Sequence, residues 1–364
     1  MPTRSTLIDE TAAYERWLAT FTTVHADALA IKRERMTESP FALLRATYYR
    51  WLALWRDHGS APRDALVVRS IGDAHIENFG TWRDHEGRLI WGVNDFDEAS
   101  PLPWTQDLVR LATSAVLAIE HGDVHSSPKE ACEAIWEGYR ESLDARGRPF
   151  VLAEGNRRLR AMATDRLKDP VLFWERLNAQ PVPTGKVPSS ARRALHRALP
   201  SDASAPTIRT RASGLGSLGR PRYVALSEWG GAHIAREVKA LAPPASCFVS
   251  GTEPRSWLVG TTRRAIRVAD PFFAVHGRWI VRRLAPDCSR IELSLLPTER
   301  DETKLLHSMG WEVANVHLGR AARRVLRAEC AAAPNKWLIT AAQAMRGAVE
   351  RDFADWTAHY AVTR

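Results

Sequence analysis

The chain has few cysteines and no long apolar run, and these absences exclude several classes of protein. Its 364 residues include four cysteines, none of them in a Cys-x-x-Cys pair. This spacing gives neither a zinc pattern nor a disulfide framework, and it fits a reducing compartment. No apolar run approaches the roughly 20 residues that a membrane-spanning helix needs, and residues 1–17 lack the apolar core of a signal peptide. We therefore expect a cytoplasmic protein without a membrane partner.

The chain also lacks a basic tail, although its overall charge is positive. The formal net charge is +9, from 51 Lys and Arg against 42 Asp and Glu. A basic balance can indicate nucleic acid or phosphorylated ligands. Here the arginines are dispersed along the chain, so a solvated surface explains the charge, and nucleic acid is not indicated. The length allows two lobes and a sizeable core.

Two short acidic segments lie close together in the first third of the chain. The first, residues 72–80, follows the apolar run 66–68, and the second, residues 94–98, follows the apolar run 89–91. Short apolar runs of this kind predict buried strands, and residues 84–87 between them predict a turn. The sequence therefore predicts a strand, a loop and a strand, with carboxylates at the strand ends.

The spacing of these acids indicates a specific chemistry. Asp73 and Asn78 are five positions apart, which is the interval between the catalytic Asp and the metal-binding Asn of the protein-kinase catalytic loop. Asp95, followed by Phe96, lies where a kinase has its metal-binding Asp. We expect Asp73 to accept the proton of an acceptor hydroxyl, and Asn78 and Asp95 to hold Mg²⁺, which prefers oxygen ligands. The alternative is that these carboxylates only cap turns.

A glycine-rich stretch in the second half of the chain predicts the rest of a nucleotide site. Residues 214–219 follow the pattern Gly-x-Gly-x-x-Gly, which alone is weak because any glycine-rich hairpin can produce it. Two predicted strands follow, at 223–227 and 234–241, and the second contains Lys239. A kinase needs flexible backbone over the phosphates and a cation that pairs with them. The candidate nucleotide-binding residues are Gly214, Gly216, Ser217, Gly219 and Lys239.

The acidic segments resemble the aminoglycoside phosphotransferase and choline kinase branch of the kinase-like fold, whose loop has the pattern Gly-Asp-x-His-x-x-Asn. The resemblance implies an α+β, bilobal fold with a helical large lobe, a small β-rich lobe, and ATP and Mg²⁺ between them. It also implies that Asp107 anchors the catalytic loop from below. His75 is a structural hydrogen bonder or a ligand, and Asp97 is a further metal ligand or a turn cap.

The order of the motifs differs from that of ordinary kinases, in which the glycine-rich segment precedes the catalytic loop. Circular permutation produces the order found here, and it is tolerable because chain termini often lie close together at the surface. Over nearly its full length the chain resembles a bacterial family of unknown function, the domain-of-unknown-function 2252 family, which has this layout. Its shared motifs include Ser-Pro-Phe-x-x-Leu-Arg at residues 39–45, for which the sequence indicates no mechanism.

The composition and periodicity of the chain predict its division into lobes. Residues 201–207 shift towards Ser, Ala, Pro and Asp, which indicates a boundary. We expect residues 1–200 and 296–364 to form the large lobe and residues 207–295 to form the small lobe. Helical periodicity predicts helices at 11–35, 40–57, 107–119, 128–144, 303–321 and 337–359.

Three functions remain open from the sequence. The first is an ATP- and Mg²⁺-dependent phosphotransferase, for which the resemblance favours a small-molecule hydroxyl acceptor. The second is a nucleotide-binding regulator without turnover, because the helix predicted at 257–268 contains no acid to pair with Lys239; the nearest acids are Glu253 and Asp270.

The third is a metal-dependent hydrolase, since two-metal sites also cluster acids and histidines. It would use Asp73, His75, Asp95 and Asp97. That scheme gives no role to the glycine-rich segment or to Lys239.

Overall fold

A computed structural model describes residues 6–58, 65–153, 155–164, 169–288, 299–319 and 323–363. Helices and small sheets together make an α+β architecture. The boundary expected at 295–296 lies outside the described residues. No helix in the described ranges has the length and apolar character to cross a bilayer.

The helices and strands occur in groups along the chain, and the described residues begin and end with groups of helices. The helices are α1 (Leu7–Ala19), α2 (Ala26–Arg35), α3 (Pro40–Ala46), α4 (Tyr48–His58), α5 (Trp104–Glu120), α6 (Pro128–Ala145), α7 (Arg157–Thr164), α8 (Pro170–Asn178), α9 (Ser189–Ala198), α10 (Ala245–Ser250), α11 (Leu258–Arg264), α12 (Glu299–His317), α13 (Arg323–Ala332) and α14 (Trp337–Thr363). The strands are β1 (Val67–Ser70), β2 (Phe79–Arg83), β3 (Leu89–Val93), β4 (Ser100–Pro103), β5 (Phe150–Val151), β6 (Thr207–Thr210), β7 (Arg222–Trp229), β8 (Ala232–Ala240), β9 (Ala274–His276) and β10 (Trp279–Leu284).

These strands form three antiparallel sheets. The pair β1–β4 and the three-stranded sheet β2–β3–β5 flank the two acidic segments, and five strands form a separate sheet in the order β6–β7–β8–β10–β9. The strands predicted at 66–68, 89–91, 223–227 and 234–241 are confirmed as β1, β3, β7 and β8.

Helix α5 lies at the centre of the helical body, and every residue from 104 to 118 is buried. Its apolar stripe and small residues allow α6, α12 and α14 to pack around it. Two glycines bring α6 and α12 into close contact. A Cβ atom added to Gly138 would lie 1.9 Å from the His307 carbonyl oxygen, and one added to Gly310 would lie 2.0 Å from that of Ile135.

The five-stranded sheet presents different faces to its two helical neighbours, because side chains alternate along a strand. On one face Val238 packs with Ala191 and Leu195 of α9. On the other face Ala235 packs with Leu177 of α8. Lys239 follows the alternation and faces away from α9, towards the acidic loops.

The predictions for three helices were wrong. Two of these helices are interrupted, and one is shorter than predicted. The predicted helix 11–35 is two helices, and between them the His25 backbone N–H donates to the carbonyl oxygen of Gly219 at 2.9 Å. The predicted helix 40–57 breaks at Thr47, which has φ −127° and ψ 51°. The helix predicted at 257–268 covers only α11, since the chain beyond it bonds to α12 through Ile266 N–H and Asn315 C=O.

The close approach of α6 and α12 gives a prediction about stability. We expect Gly310→Ala to lower the free energy of unfolding by about 1–3 kcal/mol, because a backbone carbonyl cannot move aside as a side chain can. Gly347 is the matched control, since it is also helical and a Cβ there would only contact the end of the Arg351 side chain at 3.6 Å. Gly347→Ala should be neutral or stabilise by about 0.5–1 kcal/mol. Urea unfolding of both variants checks this, and equal losses would contradict the packing described.

Candidate functional site

Asn78 holds the two acidic loops together. Its side-chain amide donates to the carbonyl oxygens of Asp73 at 3.0 Å and Asp95 at 2.9 Å, and its Oδ1 accepts the Asp95 backbone N–H at 2.9 Å. The sequence placed Asn78 as a metal ligand. In this structure its oxygen already accepts one hydrogen bond, which leaves one lone pair for a cation.

Asp107 binds the first acidic loop, which contains Asp73, to the helical body. Its carboxylate accepts the backbone N–H groups of Ile71 at 2.6 Å and Gly72 at 3.0 Å, and contacts Nε2 of His317 at 3.0 Å. The other ring nitrogen of His317 lies 2.9 Å from the hydroxyl of Tyr139. This assigns the Nε2–H tautomer, with the Tyr139 hydroxyl as donor to Nδ1. The network is buried and connects the loop to α5, α6 and α12.

Gly72 allows the two acidic segments to touch. Its φ is +87°, a conformation that favours glycine. A Cβ atom at this position would lie 2.1 Å from the backbone oxygen of Glu98. Any side chain there would therefore separate the first acidic loop from residues 94–98.

Asp73 is held by an arginine that the sequence analysis missed. Nε of Arg110 donates to Asp73 Oδ1 at 2.8 Å, and Nη2 contacts the same oxygen. Arg110 is fully buried, and its guanidinium stacks on Tyr48 and Trp51. Burial raises the pKa of Asp73 and outweighs the opposing effect of Arg110. Its second oxygen lies 3.8 Å from Nε2 of His75, beyond hydrogen-bond distance.

The Ser-Pro-Phe motif at residues 39–45 supports this loop. Ser39 accepts the Ala42 N–H at 3.1 Å and caps α3, with Pro40 in the first turn. At the other end of α3, the Leu44 carbonyl accepts a hydrogen bond from Arg110 at 2.9 Å, and Arg45 pairs with Glu77 at 2.7 Å. The motif therefore positions both Arg110 and the first acidic loop.

Lys239 lies between Asp95 and Asp97 of the second acidic loop. Its Nζ is 2.9 Å from Asp95 Oδ2 and 2.6 Å from Asp97 Oδ2. Glu253 and Asp270, the acids nearest in sequence to the following helix, do not form this pair. Burial lowers the pKa of Lys239, although both carboxylates oppose that shift.

Two further arginines complete the charge balance at this loop. Arg282 lies 3.5 Å from Asp95 Oδ1, and Arg220 donates to Asp97 Oδ2 at 3.2 Å. Burial favours the neutral form of Asp95, but Lys239 and Arg282 outweigh it and hold its pKa well below the usual range. Burial and the neighbouring Asp95 raise the pKa of Asp97.

The glycine-rich segment covers the acidic loops. It connects β6 to β7 through a short 3-10 turn at residues 215–217, and a Cβ on Gly216 would lie 3.0 Å from the Arg45 carbonyl and 3.8 Å from Asp73 Oδ2. The Ser217 hydroxyl accepts a hydrogen bond from Arg222 at 2.9 Å. Gly214 has φ +75°, and Gly219 has φ +99° and packs on Leu29.

The enclosed space is small. The cavity between the segment and the two loops has a volume of about 60 Å³, whereas ligand pockets commonly span about 300–1,000 Å³. Its lining includes Asp73, His75, Asn78, Asp95, Asp97, Gly214, Gly216 and Ser217. The structure therefore brings most of the predicted site residues to one cavity, in a closed arrangement.

The donor atoms fit a hard cation in part. Asp97 Oδ1 is buried and accepts no hydrogen bond, and Asp95 presents carboxylate oxygens beside it. Within the described ranges no group of three or more His, Cys, Asp and Glu is arranged to hold a metal ion. Mg²⁺ usually takes one or two carboxylates and completes its shell with waters and phosphates. Two carboxylates and an amide oxygen are consistent with that mode of binding.

The residues that sequence reasoning missed are mostly arginines: Arg110, Arg220 and Arg282. Arg110 carried a detectable signal, because it interrupts the apolar stripe of α5, and a buried charge is almost always paired. Arg220 and Arg282 carried none, since arginine is frequent throughout this chain.

One family model matches part of the chain, and the description of that family names no activity. Residues 25–169 match the model of a family described as an uncharacterized protein conserved in bacteria, DUF2252. The match supports the family that the motifs indicated. The matched segment contains residues 39–45 and both acidic loops, and it ends before the five-stranded sheet. The searches of curated proteins and of solved structures found no match.

The Asp107 network gives a second prediction. Asp107→Asn should lower the free energy of unfolding by about 1–3 kcal/mol, because the amide must turn its NH₂ group towards one of three donors. Asp123→Asn is the matched control, since Asp123 is about half exposed and pairs only with His121; it should change stability by less than about 0.5 kcal/mol. Denaturant melts of the two variants decide the matter. A tolerated Asp107→Asn would mean that the buried network does not hold the loop.

Proposed function

We propose that this protein is an ATP- and Mg²⁺-dependent phosphotransferase of the kinase-like class, acting on a hydroxyl acceptor. One observation carries the proposal. Lys239 and Asp95 are 144 positions apart in the chain, yet they are in contact at 2.9 Å. The contact brings the strand after the glycine-rich segment to the two acidic loops, which is the set of parts that phosphoryl transfer needs.

Asp73 is the proposed general base. Its Oδ1 is fixed by Arg110, while its other oxygen faces the cavity beneath Gly216. A base works best when its pKa is near the working pH, so the raised pKa of Asp73 suits this role. His75, whose Nδ1 accepts the Glu77 N–H at 3.2 Å, directs its other nitrogen towards Asp73.

Asp95, Asp97 and Asn78 would hold magnesium, which would neutralise the charge on the transferred phosphoryl group. Asp97 belongs to this set because its unpaired buried oxygen lies beside Asp95. In the proposed complex Lys239 moves from the two carboxylates to the phosphates. Without phosphates, a buried ammonium pairs with the nearest acids, since an unpaired buried charge is costly.

The architecture supports a circularly permuted kinase-like fold. The five-stranded sheet carries the glycine-rich segment and Lys239, and the helical body carries both acidic loops. Helix α12, late in the chain, supplies His317 to the Asp107 network that holds the catalytic loop. In an ordinary kinase the glycine-rich segment precedes the catalytic loop. In this chain the order is reversed, so the termini of the unpermuted fold would be joined at an internal position of the present sequence.

A nucleotide-binding regulator without turnover is the second candidate, because Lys239 pairs with the two acids that would hold the metal and helix α11 contains no acid to take their place. The cavity over Asp73 has a volume of about 60 Å³, which is well below that of common ligand pockets. In addition, Glu237, two residues before Lys239 and on the same strand face, is buried between Arg211 at 2.6 Å and Arg222 at 2.7 Å. These ion pairs would offer little apolar surface to the adenine ring of a nucleotide. A metal-dependent hydrolase has less support, since it needs a denser cluster of metal ligands than the described residues provide.

Paired substitutions test the division of roles. Asp95→Asn should abolish the gain in ATP affinity that Mg²⁺ gives, because metal and triphosphate bind together. Asp73→Asn should keep that affinity but reduce phosphoryl transfer or ATP hydrolysis by roughly a hundredfold or more. Calorimetric titration with ATP, with and without Mg²⁺, and an ATP-consumption assay measure both effects.

Glu228→Gln is the control for these variants, because Glu228 is an exposed acid on β7 outside the cavity; it should behave as the unmodified protein. Indistinguishable ATP affinities for Asp73→Asn and Asp95→Asn would refute the assigned roles. ATP binding by the unmodified protein without any consumption would instead select the regulator.

A further inference from the structure

A second and larger cavity, of about 460 Å³, adjoins the candidate site. It shares no lining residue with the cavity over Asp73. Arg282 connects the two, because it lines the larger cavity while its guanidinium lies 3.5 Å from Asp95. We propose that this second cavity binds a small organic anion, a carboxylate or phosphate monoester on an apolar, aromatic-sized body. This inference does not depend on phosphoryl transfer.

Among the described residues, Arg267 has no carboxylate counter-ion. Arg267 lines the cavity, and its guanidinium stacks on Trp82 at 4.5 Å and on Phe96 at 4.9 Å. Its Nη1 is buried without a hydrogen-bond partner. In the described part of the chain no carboxylate forms an ion pair with it; Glu312 and Asp270 act only at longer range.

Burial of the Arg267 charge without a counter-ion is unfavourable for folding. Burial lowers the pKa of Arg267, and the neighbouring charge of Arg282 adds to this effect. A buried charge without a partner destabilises a fold, and an apolar side chain of similar volume often stabilises it instead. Arg267 therefore contributes little to folding as the protein stands. An anion in the cavity would give the Arg267 guanidinium a counter-charge, and an arginine stacked on aromatic rings can still bind an anion through N–H groups in its plane.

The lining of the larger cavity combines an excess of positive charge with largely apolar walls. Arg282 also has a buried Nε without a partner, and Arg263 adds a third positive charge, against the single carboxylate of Asp270. The remaining walls are largely apolar and include Phe273. The volume falls within the range of small-molecule pockets. An anion attached to a flat apolar body matches the charge, the walls and the size.

Arg282 couples this cavity to Asp95. An anion that takes Arg282 removes one of the two cations that pair with Asp95. Coupling between two sites is reciprocal. A change that frees Arg282 from Asp95 should therefore strengthen anion binding in the second cavity.

The test is calorimetric titration of the full-length protein with naphthyl phosphate, naphthoate and the neutral naphthalene methanol. At least one anion should bind, the neutral compound should not, and comparison of the two anions identifies the preferred group. Arg267→Met should weaken anion binding by about thirtyfold or more, as expected for removal of one partner of a buried charge pair. Its melting temperature should be unchanged or higher. Asp95→Asn should tighten anion binding by about fivefold or more.

Arg148→Met is the matched control. Arg148 also lies over a tryptophan, Trp311, at 6.0 Å, but it is outside the cavity, so this variant should bind as the unmodified protein does. Arg282→Gln provides a second variant in case Arg267→Met does not fold, and it should also lose affinity. The proposal is overturned if neither anion binds at millimolar concentration, if the neutral compound binds as well, or if both arginine variants retain affinity. Competition by ATP for the same cavity would also overturn it, since the cavity would then be part of a nucleotide site.

Discussion

The contact of Lys239 with Asp95 and Asp97 is the interaction on which the rest of the structure depends. It joins the five-stranded sheet to the acidic loops of the helical body through a buried ammonium and two carboxylates. Buried charges tolerate little displacement, because removing one partner leaves the other uncompensated. The relative position of the sheet and the loops is thus specified by charge as well as by apolar packing. Although burial favours the neutral form of Asp95, Lys239 and Arg282 hold its pKa well below the usual range, whereas burial and the neighbouring Asp95 raise the pKa of Asp97 in spite of Lys239.

The remaining cations follow the same logic. Three acids of the candidate site pair with arginines from distant elements: Asp73 with Arg110 of α5, Asp97 with Arg220 and Asp95 with Arg282. The site is therefore electrically satisfied while it is closed, and the glycine-rich segment can rest on the loops. A metal ion and phosphates would replace these internal partners with external ones. Arg267 is the exception, because no carboxylate among the described residues forms an ion pair with it and its Nη1 is buried without a hydrogen-bond partner.

Sequence reasoning recovered the parts of the site whose determinants are local. Asp73, Asn78 and Asp95 lie in short loops after apolar strands, and β7 and β8 lie on either side of a glycine turn, so these could be predicted. Partners from distant elements could not, because nothing in the sequence distinguishes Arg220 or Arg282 from the many other arginines. The role of residues 39–45 also needed three dimensions, since α3 acts through the Leu44 carbonyl and Arg45. The helix breaks at 20–25 and Thr47 arise from tertiary contacts that periodicity does not show.

We propose that the ammonium group of Lys239 lies where a metal ion would bind, and that Lys239 exchanges its carboxylate partners for phosphates when a nucleotide binds. A crystal structure of the protein with Mg²⁺ and a non-hydrolysable ATP analogue tests this most directly. The account predicts that Nζ of Lys239 lies on a phosphate oxygen, that the metal lies on Asp95 and Asp97, and that residues 214–219 have moved away from Arg45. A nucleotide bound elsewhere, with Lys239 still between the two carboxylates, would contradict it.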